Sequence, residues 1–335
     1  MIDQNQIVKA LMMPEAYEEN PKNIELFQTH ISFIFLTRKF VYKVKKAVNF
    51  GFLDFTTLRK RRFYCEKELE LNRRLCGKMY LEVVSINKGP PIRIKGEGKP
   101  VEYAVKMKRM PQEKIMSKLL EENKVGNKII DRIARIVAEF HSKAETNSTI
   151  ASYGSLRSIE FNWKENFEQT KNFINDTITA EDFRLIRDKV KEFMRKNTTL
   201  FTKRMSDKRV RDCHGDIHSG NIFITDNIYI FDAIEFNERF RYSDTVADAA
   251  FLAMDLDFKN RGDLSDFFIT KYSEYSRDLE MTKLLPFYKC YRAYVRGKVT
   301  SFRLNDPNTS KKEKRVAEKE ASLYFKLATN YVEKF

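Results

Sequence analysis

The chain has 335 residues, 42% of them hydrophobic, which is enough to bury a core as one large domain or as two lobes. Its 27 Phe and 15 Tyr exclude a fully disordered chain, and no apolar run approaches the roughly 18–20 residues that a membrane span requires. The formal net charge of +15 fits an anionic ligand, nucleic acid or a solvated, lysine-rich surface.

The start of the chain and its cysteines bear on where the protein works. The N-terminus reads Met1-Ile2-Asp3-Gln4 and lacks the basic-then-apolar pattern of a secretion signal, so we expect a cytoplasmic protein. No Cys-x-x-Cys pair occurs among the cysteines, which are Cys65, Cys76, Cys213 and Cys290. Because zinc sites need clustered ligands, we expect reduced, buried thiols and no structural zinc.

The first 110 residues are predicted to be rich in strands. Residues 24–46 form a predicted strand pair, and Lys43 and Lys45 share one face of its second strand because strand side chains alternate. Residues 56–76 indicate a helix, and residues 79–110 indicate short strands interrupted by glycine and proline.

The remainder of the chain is predicted to be mainly helical. Apolar residues at three- and four-residue spacing over 129–140 mark an amphipathic helix, and the residues from 244 onward are also helical. Residues 222–236 form a predicted strand hairpin within this helical part. This order predicts an α+β protein of two lobes, residues 1–110 and 111–335.

One segment carries recognisable chemistry. Asp216 is followed five residues later by Asn221, and a second aspartate, Asp232, stands at the end of the second strand of the predicted hairpin, Ile228–Phe231. Phosphoryl transfer requires a carboxylate near the attacking hydroxyl and two oxygen ligands that hold magnesium against the phosphates. Protein kinases place such groups as H-R-D-x-x-x-x-N followed by D-F-G, so the spacing predicts a magnesium-phosphate centre.

Residues 214–221 read His-Gly-Asp-x-His-x-Gly-Asn, which resembles the catalytic loop of the aminoglycoside phosphotransferase and choline kinase group. Further stretches resemble an uncharacterised microbial branch of that group, at 51–55, 68–75, 232–236 and 291–299. Members of that branch are often fused to a C-terminal P-loop kinase domain. No G-x-x-x-x-G-K-[ST] motif occurs here, so that domain is expected to be absent.

The resemblance implies a protein-kinase-like two-lobe fold. A small antiparallel-sheet N-lobe with one helix would bind the nucleotide, and a larger, mainly helical C-lobe would carry catalysis and the acceptor. The implied reaction moves the γ-phosphate of ATP, with Mg²⁺, to a hydroxyl of a small metabolite. Asp216 would be the base, and His214 is a candidate catalytic residue or a brace of the backbone. Asn221 and Asp232 would bind Mg²⁺.

For the nucleotide, the resemblance implies that Lys43 contacts the α- and β-phosphates and that Glu68 is its ion-pair partner, with Lys45 as the alternative lysine. No G-x-G-x-x-G precedes Lys43, so backbone amides and nearby hydroxyls are expected to cover the phosphates. The link after the strand-rich part is expected to contact adenine. The residues for these two roles are Thr29 and Ser32 at the phosphates and Lys108 and Met110 at adenine.

Charged residues are also assigned to the surroundings of the metal and to the acceptor. Glu235 lies three residues after Asp232 and either supports the metal site or is a surface carboxylate. The resemblance places a C-terminal helix with Arg292, Arg296 and Lys298 beside the acceptor pocket, where they could hold an anionic acceptor; a solvated helix face is the alternative. Aminoglycoside pockets are lined by acidic residues that bind a polycation, whereas the C-terminal half of this chain offers several Arg and Lys. We therefore expect an anionic or polyol acceptor and not an antibiotic.

Three further residues receive structural roles. Asp244 and Asp248 are expected to anchor the catalytic loop by hydrogen bonds, and His141 follows an apolar stripe and is expected to be a core histidine. ATP and a small hydroxylated acceptor are the expected partners, and a membrane is not.

Two other functions remain open. Aromatic residues interleaved with Lys and Arg at 59–64 and 239–242 are compatible with a nucleic-acid-binding protein on a kinase scaffold. Such a protein has no need of Asp216, Asn221 and Asp232, all of which are present. A protein kinase acting on itself or on a partner is the third hypothesis, and the missing A-P-E signature argues against it.

Overall fold

Most of the strands lie in the first third of the chain, and helices occupy most of the remainder. The computed structural model describes residues 3–307 and 309–335. Its strands are β1 (Glu25–Gln28), β2 (Ser32–Leu36), β3 (Phe40–Lys45), β4 (Tyr80–Asn87), β5 (Arg93–Ile94), β6 (Pro100–Lys108), β7 (Val210–Asp212), β8 (Ile222–Ile224), β9 (Ile228–Ile230) and β10 (Tyr242–Asp244). Its α-helices are α1 (Gln4–Leu11), α2 (Leu58–Cys76), α3 (Met116–Glu121), α4 (Asn127–Lys143), α5 (Ser148–Ser152), α6 (Leu156–Thr170), α7 (Ala180–Lys196), α8 (Thr198–Ser206), α9 (Glu238–Arg241), α10 (Thr245–Phe258), α11 (Gly262–Ser276), α12 (Leu285–Ser301) and α13 (Lys311–Val332). The predicted α+β class is confirmed.

The chain divides into two compact units. The first contains the residues up to Lys118 together with Asn221–Arg241, and the second contains Leu119–Gly220 together with Tyr242–Phe335. The hairpin of β8 and β9 therefore belongs to the first unit, although it lies late in the sequence. The assignment of residues 1–110 to nucleotide binding and of residues 111–335 to catalysis and acceptor binding stays a prediction.

The first unit is built on a six-stranded antiparallel sheet in the order β1-β2-β3-β6-β4-β5. In β3, Tyr42 and Val44 join an apolar core on one face of the sheet. Lys43 and Lys45 point to the opposite face because strand side chains alternate. Ser32 of β2 pairs with Lys45 across the two strands and so lies on this lysine face as well.

Helix α2 contributes buried polar side chains to the same unit. It begins after Thr57, whose hydroxyl accepts a backbone amide hydrogen bond, and it ends at Gly77, whose positive φ of 48° suits glycine. Its buried residues include Cys65, Glu68 and Asn72, spaced three and four residues apart along one stripe. The helix therefore presents a carboxylate and an amide to the interior.

The β8–β9 hairpin is fixed to the first unit beside the end of α2. The Cys76 thiol donates a hydrogen bond to the Ile230 carbonyl oxygen at 2.8 Å, and Phe223 belongs to an apolar cluster that also contains Cys76. The residues that flank the hairpin, Asn221 and Asp232, are thereby held in this unit.

The second unit is a helical assembly in which α12 packs against α10 and α13. Every residue from Thr245 to Leu256 of α10 is buried, so this helix is enclosed on all sides. Trp163 of α6 packs edge-on against Phe287 and Tyr294 of α12. The cysteines are free and buried, as predicted. Within the described residues, no helix is long and apolar enough to cross a membrane.

Candidate functional site

Two lysines and three carboxylates form a compact charged group in the first unit, which we call the lysine–carboxylate group (Lys43, Lys45, Glu68, Asp232 and Glu235). Lys43 Nζ lies 2.9 Å from Glu68 Oε1 and 2.7 Å from Asp232 Oδ1. Lys45 Nζ lies 2.7 Å from Glu68 Oε2 and also contacts Glu235 Oε1. The two oxygens of Glu68 are thus divided between the two lysines.

The local folds explain how this group assembles. β3 presents both lysines on one face, α2 presents Glu68 from its buried stripe, and the chain after β9 supplies Asp232 and Glu235. The predicted pair of Lys43 and Glu68 is present, and the alternative lysine, Lys45, binds the same carboxylate. The interpretation of Glu235 as a surface carboxylate is wrong, because its side chain is only 4% exposed and pairs with Lys45.

The charged side chains of the group influence one another's pKa values. Burial alone would raise the pKa of Glu68, but Lys43 and Lys45 lower it to about 2. Burial would lower the pKa of Lys43, yet Asp232 and Glu68 raise it above its usual value. Burial raises the pKa of Glu235, and Lys45 offsets part of that effect. When all five groups are ionised, two positive charges face three negative ones, which leaves an excess of one negative charge.

Asp232 is the carboxylate through which the excess negative charge of the group is exposed to solvent. Its side chain is 43% exposed, whereas that of Glu68 is 0% and that of Glu235 is 4% exposed. Its φ of 65° lies in the left-handed region, which aspartate adopts more readily than most residues but still at a cost. The next amide, Ala233 N, donates to Asn72 Oδ1 at 3.0 Å. A fixed, accessible carboxylate beside excess negative charge fits a divalent cation.

Asn221 lies at the same end of the hairpin as Asp232. Its carbonyl oxygen accepts a hydrogen bond from Phe231 N at 2.9 Å, and the register continues with Ile222 opposite Ile230. The Asn221 side chain is largely buried. Because magnesium prefers carboxylate and amide oxygens, Asn221 and Asp232 together fit the donor set of a Mg²⁺ site.

The residues predicted to cover the phosphates and to contact adenine have different settings. Thr29 is exposed, and its hydroxyl accepts the Ser32 amide hydrogen bond at 3.0 Å, so it braces the turn between β1 and β2. Ser32 is fully buried, and its Oγ has no hydrogen-bond partner among the described residues. Lys108 is exposed at the end of β6, where it lines a cavity of about 420 Å³ with Tyr80, and Met110 is half-buried. Their nucleotide contacts stay predictions.

In the second unit, the loop after β7 carries His214, Asp216 and His218 and is anchored by Asp248 of α10. Asp248 Oδ2 accepts the His214 amide hydrogen bond at 2.8 Å, and Asp248 Oδ1 accepts that of Gly215 at 2.9 Å. The φ of 89° at Gly215 lies in the left-handed region, where glycine avoids the steric cost of a Cβ. The predicted anchoring role of Asp248 is confirmed.

His141 supports Asp248 from the core. Its Nε2 lies 3.1 Å from Asp248 Oδ2 and its Nδ1 lies 2.7 Å from the Tyr272 hydroxyl, which confirms the predicted core histidine. Asp244 behaves differently from the prediction. It receives hydrogen bonds from Arg204 at 2.6 and 2.8 Å and caps the start of α10, so it anchors helices and not the loop after β7.

Asp216 is arranged as an ionised and partly exposed carboxylate. Its side chain is 32% exposed, and its Oδ2 lies 3.6 Å from His218 Nε2. Burial alone would raise the pKa of Asp216, but His218 and Arg296 lower it below its usual value. The Asp216 amide donates to His214 Nδ1 at 3.3 Å, and His214 is buried, so His214 braces the loop. An ionised carboxylate can accept a hydrogen bond from a hydroxyl and then its proton.

Two of the three basic residues predicted to hold the acceptor are buried in the second unit and hydrogen-bonded to other residues there. Arg292 is buried and donates to the carbonyl oxygens of Ala247 at 2.8 Å and Gly215 at 3.0 Å. Lys298 is buried and donates to the side-chain oxygens of two α6 residues. A solvated helix face is therefore the wrong description of both. Arg292 supports the loop after β7 through Gly215, and its predicted contact with an acceptor stays a prediction.

Arg296 is the third of these residues and has weaker contacts. It is half-buried, with its guanidinium 5.4 Å from the centre of the Tyr324 ring and its Nη2 3.5 Å from the Tyr324 hydroxyl. Burial opposes its charge, but Tyr324 and Asp216 raise the pKa of Arg296. Most of its N–H donors therefore have no strong acceptor among the described residues.

The fold and these two groups of residues can be compared with known proteins. No protein-family model matches the chain. Uncharacterized proteins of Mycobacterium tuberculosis (strain ATCC 25618 / H37Rv) and Mycobacterium bovis (strain ATCC BAA-935 / AF2122/97) are each 32% identical over 283 residues, which make up 84% of this chain and 55% of the relative. The chain spans about half the length of the curated relatives it matches.

Two solved structures share the fold of the chain. A choline/ethanolamine kinase family protein from Mesorhizobium loti has a TM-score of 0.55 at 10% identity and covers 98% of this chain and 100% of its own. An aminoglycoside phosphotransferase family protein from Ralstonia eutropha JMP134 has a TM-score of 0.50 at 11% identity, with coverages of 100% and 99%. These neighbours have the protein-kinase-like fold, so the predicted fold class is confirmed.

Proposed function

We propose that the protein is an ATP- and Mg²⁺-dependent phosphotransferase that moves the γ-phosphate of ATP to a hydroxyl of a small metabolite. The observation that carries this proposal is the position of Lys43, whose amine lies between Glu68 and Asp232. Kinases use a lysine paired with a helix carboxylate, together with a metal-binding aspartate, to hold the phosphates of ATP. The fold shared with a choline/ethanolamine kinase family protein supports the same function.

The first unit would bind the phosphates and the metal. Lys43 would contact the phosphates while Glu68 holds its amine in place. Asn221 and Asp232 would hold Mg²⁺, which when bound would neutralise charge on the phosphates. The direct contact of Lys43 with Asp232 at 2.7 Å would then give way to one contact with phosphate and one with metal.

The second unit would activate the acceptor. Asp216 would accept the proton of the acceptor hydroxyl as the oxygen bonds to the γ-phosphorus. The bond between the γ-phosphorus and the bridging oxygen breaks, and ADP leaves with that electron pair. His214 and Asp248 fix the backbone that carries Asp216, which keeps the carboxylate oriented.

Nucleotide binding is expected to depend on metal. ATP with Mg²⁺ should raise the melting temperature, since a ligand that binds only the folded state stabilises it. Lys43→Met should weaken ATP binding in calorimetry, whereas Lys39→Met, at an exposed lysine next to β3, should not. A wild-type chain that binds no ATP with or without Mg²⁺ would rule out the nucleotide site. A panel of hydroxylated metabolites, followed by ADP release, would then identify the acceptor.

The acceptor is expected to be an anion or a polyol and not a polycation. Arg292 and Lys298 are committed to carbonyl and amide oxygens, which leaves Arg296 as the basic residue of α12 that interacts with the charge of Asp216. An acceptor with a hydroxyl that donates to Asp216 and an anionic group that pairs with Arg296 would satisfy the charges of both residues. The class of acceptor that fits best is a small hydroxy acid or a phosphorylated polyol.

Arg296→Met should therefore raise the KM of an anionic acceptor and leave the affinity for ATP unchanged, because one charge-assisted contact is lost. The measurement is ADP release with matched pairs such as glycerate and glycerol, on Arg296→Met and on Arg184→Met, an exposed position of α7. Strong phosphorylation of kanamycin-like polyamines by the wild type would contradict the expected acceptor class.

The nucleic-acid hypothesis loses part of its support in the first unit. Phe240, in one of the two aromatic and basic stretches, packs against Phe52 and Phe236, with ring centres 6.1 and 6.4 Å away. Arg241 is buried and donates to the Ile234 carbonyl oxygen at 2.9 Å. These residues hold the chain together and do not form a free surface for stacked bases.

A further inference from the structure

Lys45 and Glu235 form a second ion pair, deeper than the pair of Lys43 and Asp232. The Lys45 side chain is 1% exposed and the Glu235 side chain 4%, against 43% for Asp232. The contacts proposed for phosphate and metal use Lys43, Glu68 and Asp232, and they leave Lys45 and Glu235 without a role. Burial of two more charges is unfavourable unless their partners compensate for the lost water, so the pair needs a physical explanation.

Glu235 belongs to a short stretch, which we call the 232–237 segment, that is held by hydrogen bonds of its backbone and of the Asn237 side chain. The contacts are Ala233 N to Asn72 Oδ1 at 3.0 Å, Arg241 Nε to Ile234 O at 2.9 Å, and Asn237 Nδ2 to Phe52 O at 2.9 Å. Two side-chain ion pairs tie the segment to β3, one from Asp232 and one from Glu235. The segment is thus fixed to the strand that carries the candidate phosphate-binding lysine.

The two ties to β3 would behave differently in the proposed reaction. If Lys43 binds phosphate and Asp232 binds metal, their direct contact opens. The contact of Lys45 with Glu235 involves neither of these groups and can persist. Lys45 also occupies Glu68 Oε2, so Glu68 keeps the orientation in which its Oε1 faces Lys43.

We infer that Lys45 and Glu235 are a positioning pair that keeps Asp232 in the backbone conformation that binds the divalent cation. The inference rests on the proposed function and adds to it the residues that set metal affinity. The left-handed φ of 65° at Asp232 persists only if its surroundings restrain it. A buried, directional ion pair three residues further along supplies such a restraint at the moment when Lys43 turns to the phosphates.

The test measures metal binding without turnover. Glu235→Gln keeps the size of the side chain and removes its charge. Titration of Mn²⁺ by electron paramagnetic resonance, with a non-hydrolysable ATP analogue present, should show an affinity about 10- to 100-fold weaker, the usual effect of losing a group that orients a metal ligand. The affinity for the analogue without metal should stay near that of the wild type. Lys45→Met should give a similar loss, and the double variant should lose no more than either single variant.

A second buried ion pair in the first unit provides the matched control. Arg61 Nε of α2 lies 2.8 Å from Glu102 Oε2 of β6, and the Glu102 side chain is 0% exposed. Glu102→Gln should lower the melting temperature, as the loss of a buried ion pair does, and leave the Mn²⁺ affinity unchanged. An equal loss of Mn²⁺ affinity in Glu102→Gln and Glu235→Gln would overturn the inference, because the effect would then be general destabilisation.

A conservative variant covers the case in which Glu235→Gln does not fold. Glu235→Asp keeps the charge and shortens its reach by one methylene, so its Mn²⁺ affinity should fall below that of the wild type. An unchanged affinity in a folded Glu235 variant would overturn the positioning pair while the proposed function stands. A wild-type chain that binds no Mn²⁺ with the analogue would instead reject the metal site of the proposed function itself.

Discussion

Asp216→Asn should lower turnover by about 10²- to 10⁴-fold, the typical contribution of a positioned acid–base group, while ATP binding persists. The amide keeps the size and hydrogen-bonding capacity of the side chain but cannot take a proton at neutral pH. The wild-type carboxylate is held in its ionised form, because His218 and Arg296 keep the pKa of Asp216 below its usual value. Calorimetry with Mg-ATP and ADP-release kinetics measure binding and turnover separately.

The matched control for this change is Asp207→Asn, since Asp207 is an exposed aspartate at the end of α8 in the same unit. It should behave as the wild type in both measurements. Wild-type turnover by Asp216→Asn on the true acceptor would show that the catalytic assignment is wrong. A fall in turnover together with a fall in ATP affinity would point to a damaged fold and not to a missing base.

The loop that carries Asp216 was recognised in the sequence because its backbone conformation requires particular residues at fixed spacing. Asp216 and Asn221 were found five residues apart in the sequence, and the structure explains the glycines around them. Gly215 has a φ of 89° that a side chain would strain, and a Cβ at Gly220 would lie 2.8 Å from His218 Cε1. Because such constraints act between residues close in the sequence, they produce a motif that can be recognised from the sequence alone.

The lysine–carboxylate group was only partly predictable. Strand alternation placed Lys43 and Lys45 on one face, and residues 56–76 were predicted to form a helix, but the buried stripe of α2 appears only in the structure. Neither pattern could show that the two oxygens of Glu68 are shared between two lysines. Asn72, which braces the backbone beside Asp232, was missed, because its contact with Ala233 spans 161 positions of the sequence and nothing in the pattern of residues 56–76 indicated its burial.

The basic residues of α12 show a different limit of sequence reasoning. Helical periodicity indicates which residues share a face, but not how many neighbours surround the helix. Because α12 packs against both α10 and α13, Arg292 and Lys298 are buried and hydrogen-bonded where charged residues usually indicate solvent or a ligand. Burial of a long cation is possible when carbonyl or amide oxygens replace water, and that compensation depends on tertiary contacts.

Asp232→Asn should remove the metal dependence of ATP binding. The change deletes one of three negative charges, so the excess negative charge of the group disappears along with a hard anionic ligand. We expect the Mg²⁺ affinity to fall by more than the ~10- to 100-fold that follows the loss of a neighbouring orienting group, and turnover to fall with it. The readout is ATP calorimetry with and without Mg²⁺, with Asp226→Asn, at the exposed tip of the same hairpin, as the control.

Asp232→Asn should not weaken the binding of ATP in the absence of metal. In the wild type, Lys43 is held by Glu68 Oε1 and by Asp232 Oδ1, so Asp232 competes with phosphate for the lysine. Asn at this position is a weaker partner, which frees the amine, and metal-free ATP should bind as well as in the wild type or more tightly. The ratio of ATP affinities with and without Mg²⁺ should therefore approach one in Asp232→Asn and stay at its wild-type value in Asp216→Asn. If Asp232→Asn keeps the full Mg²⁺-dependent gain in affinity, Asp232 is not a metal ligand, and its contact with Lys43 is only a structural ion pair.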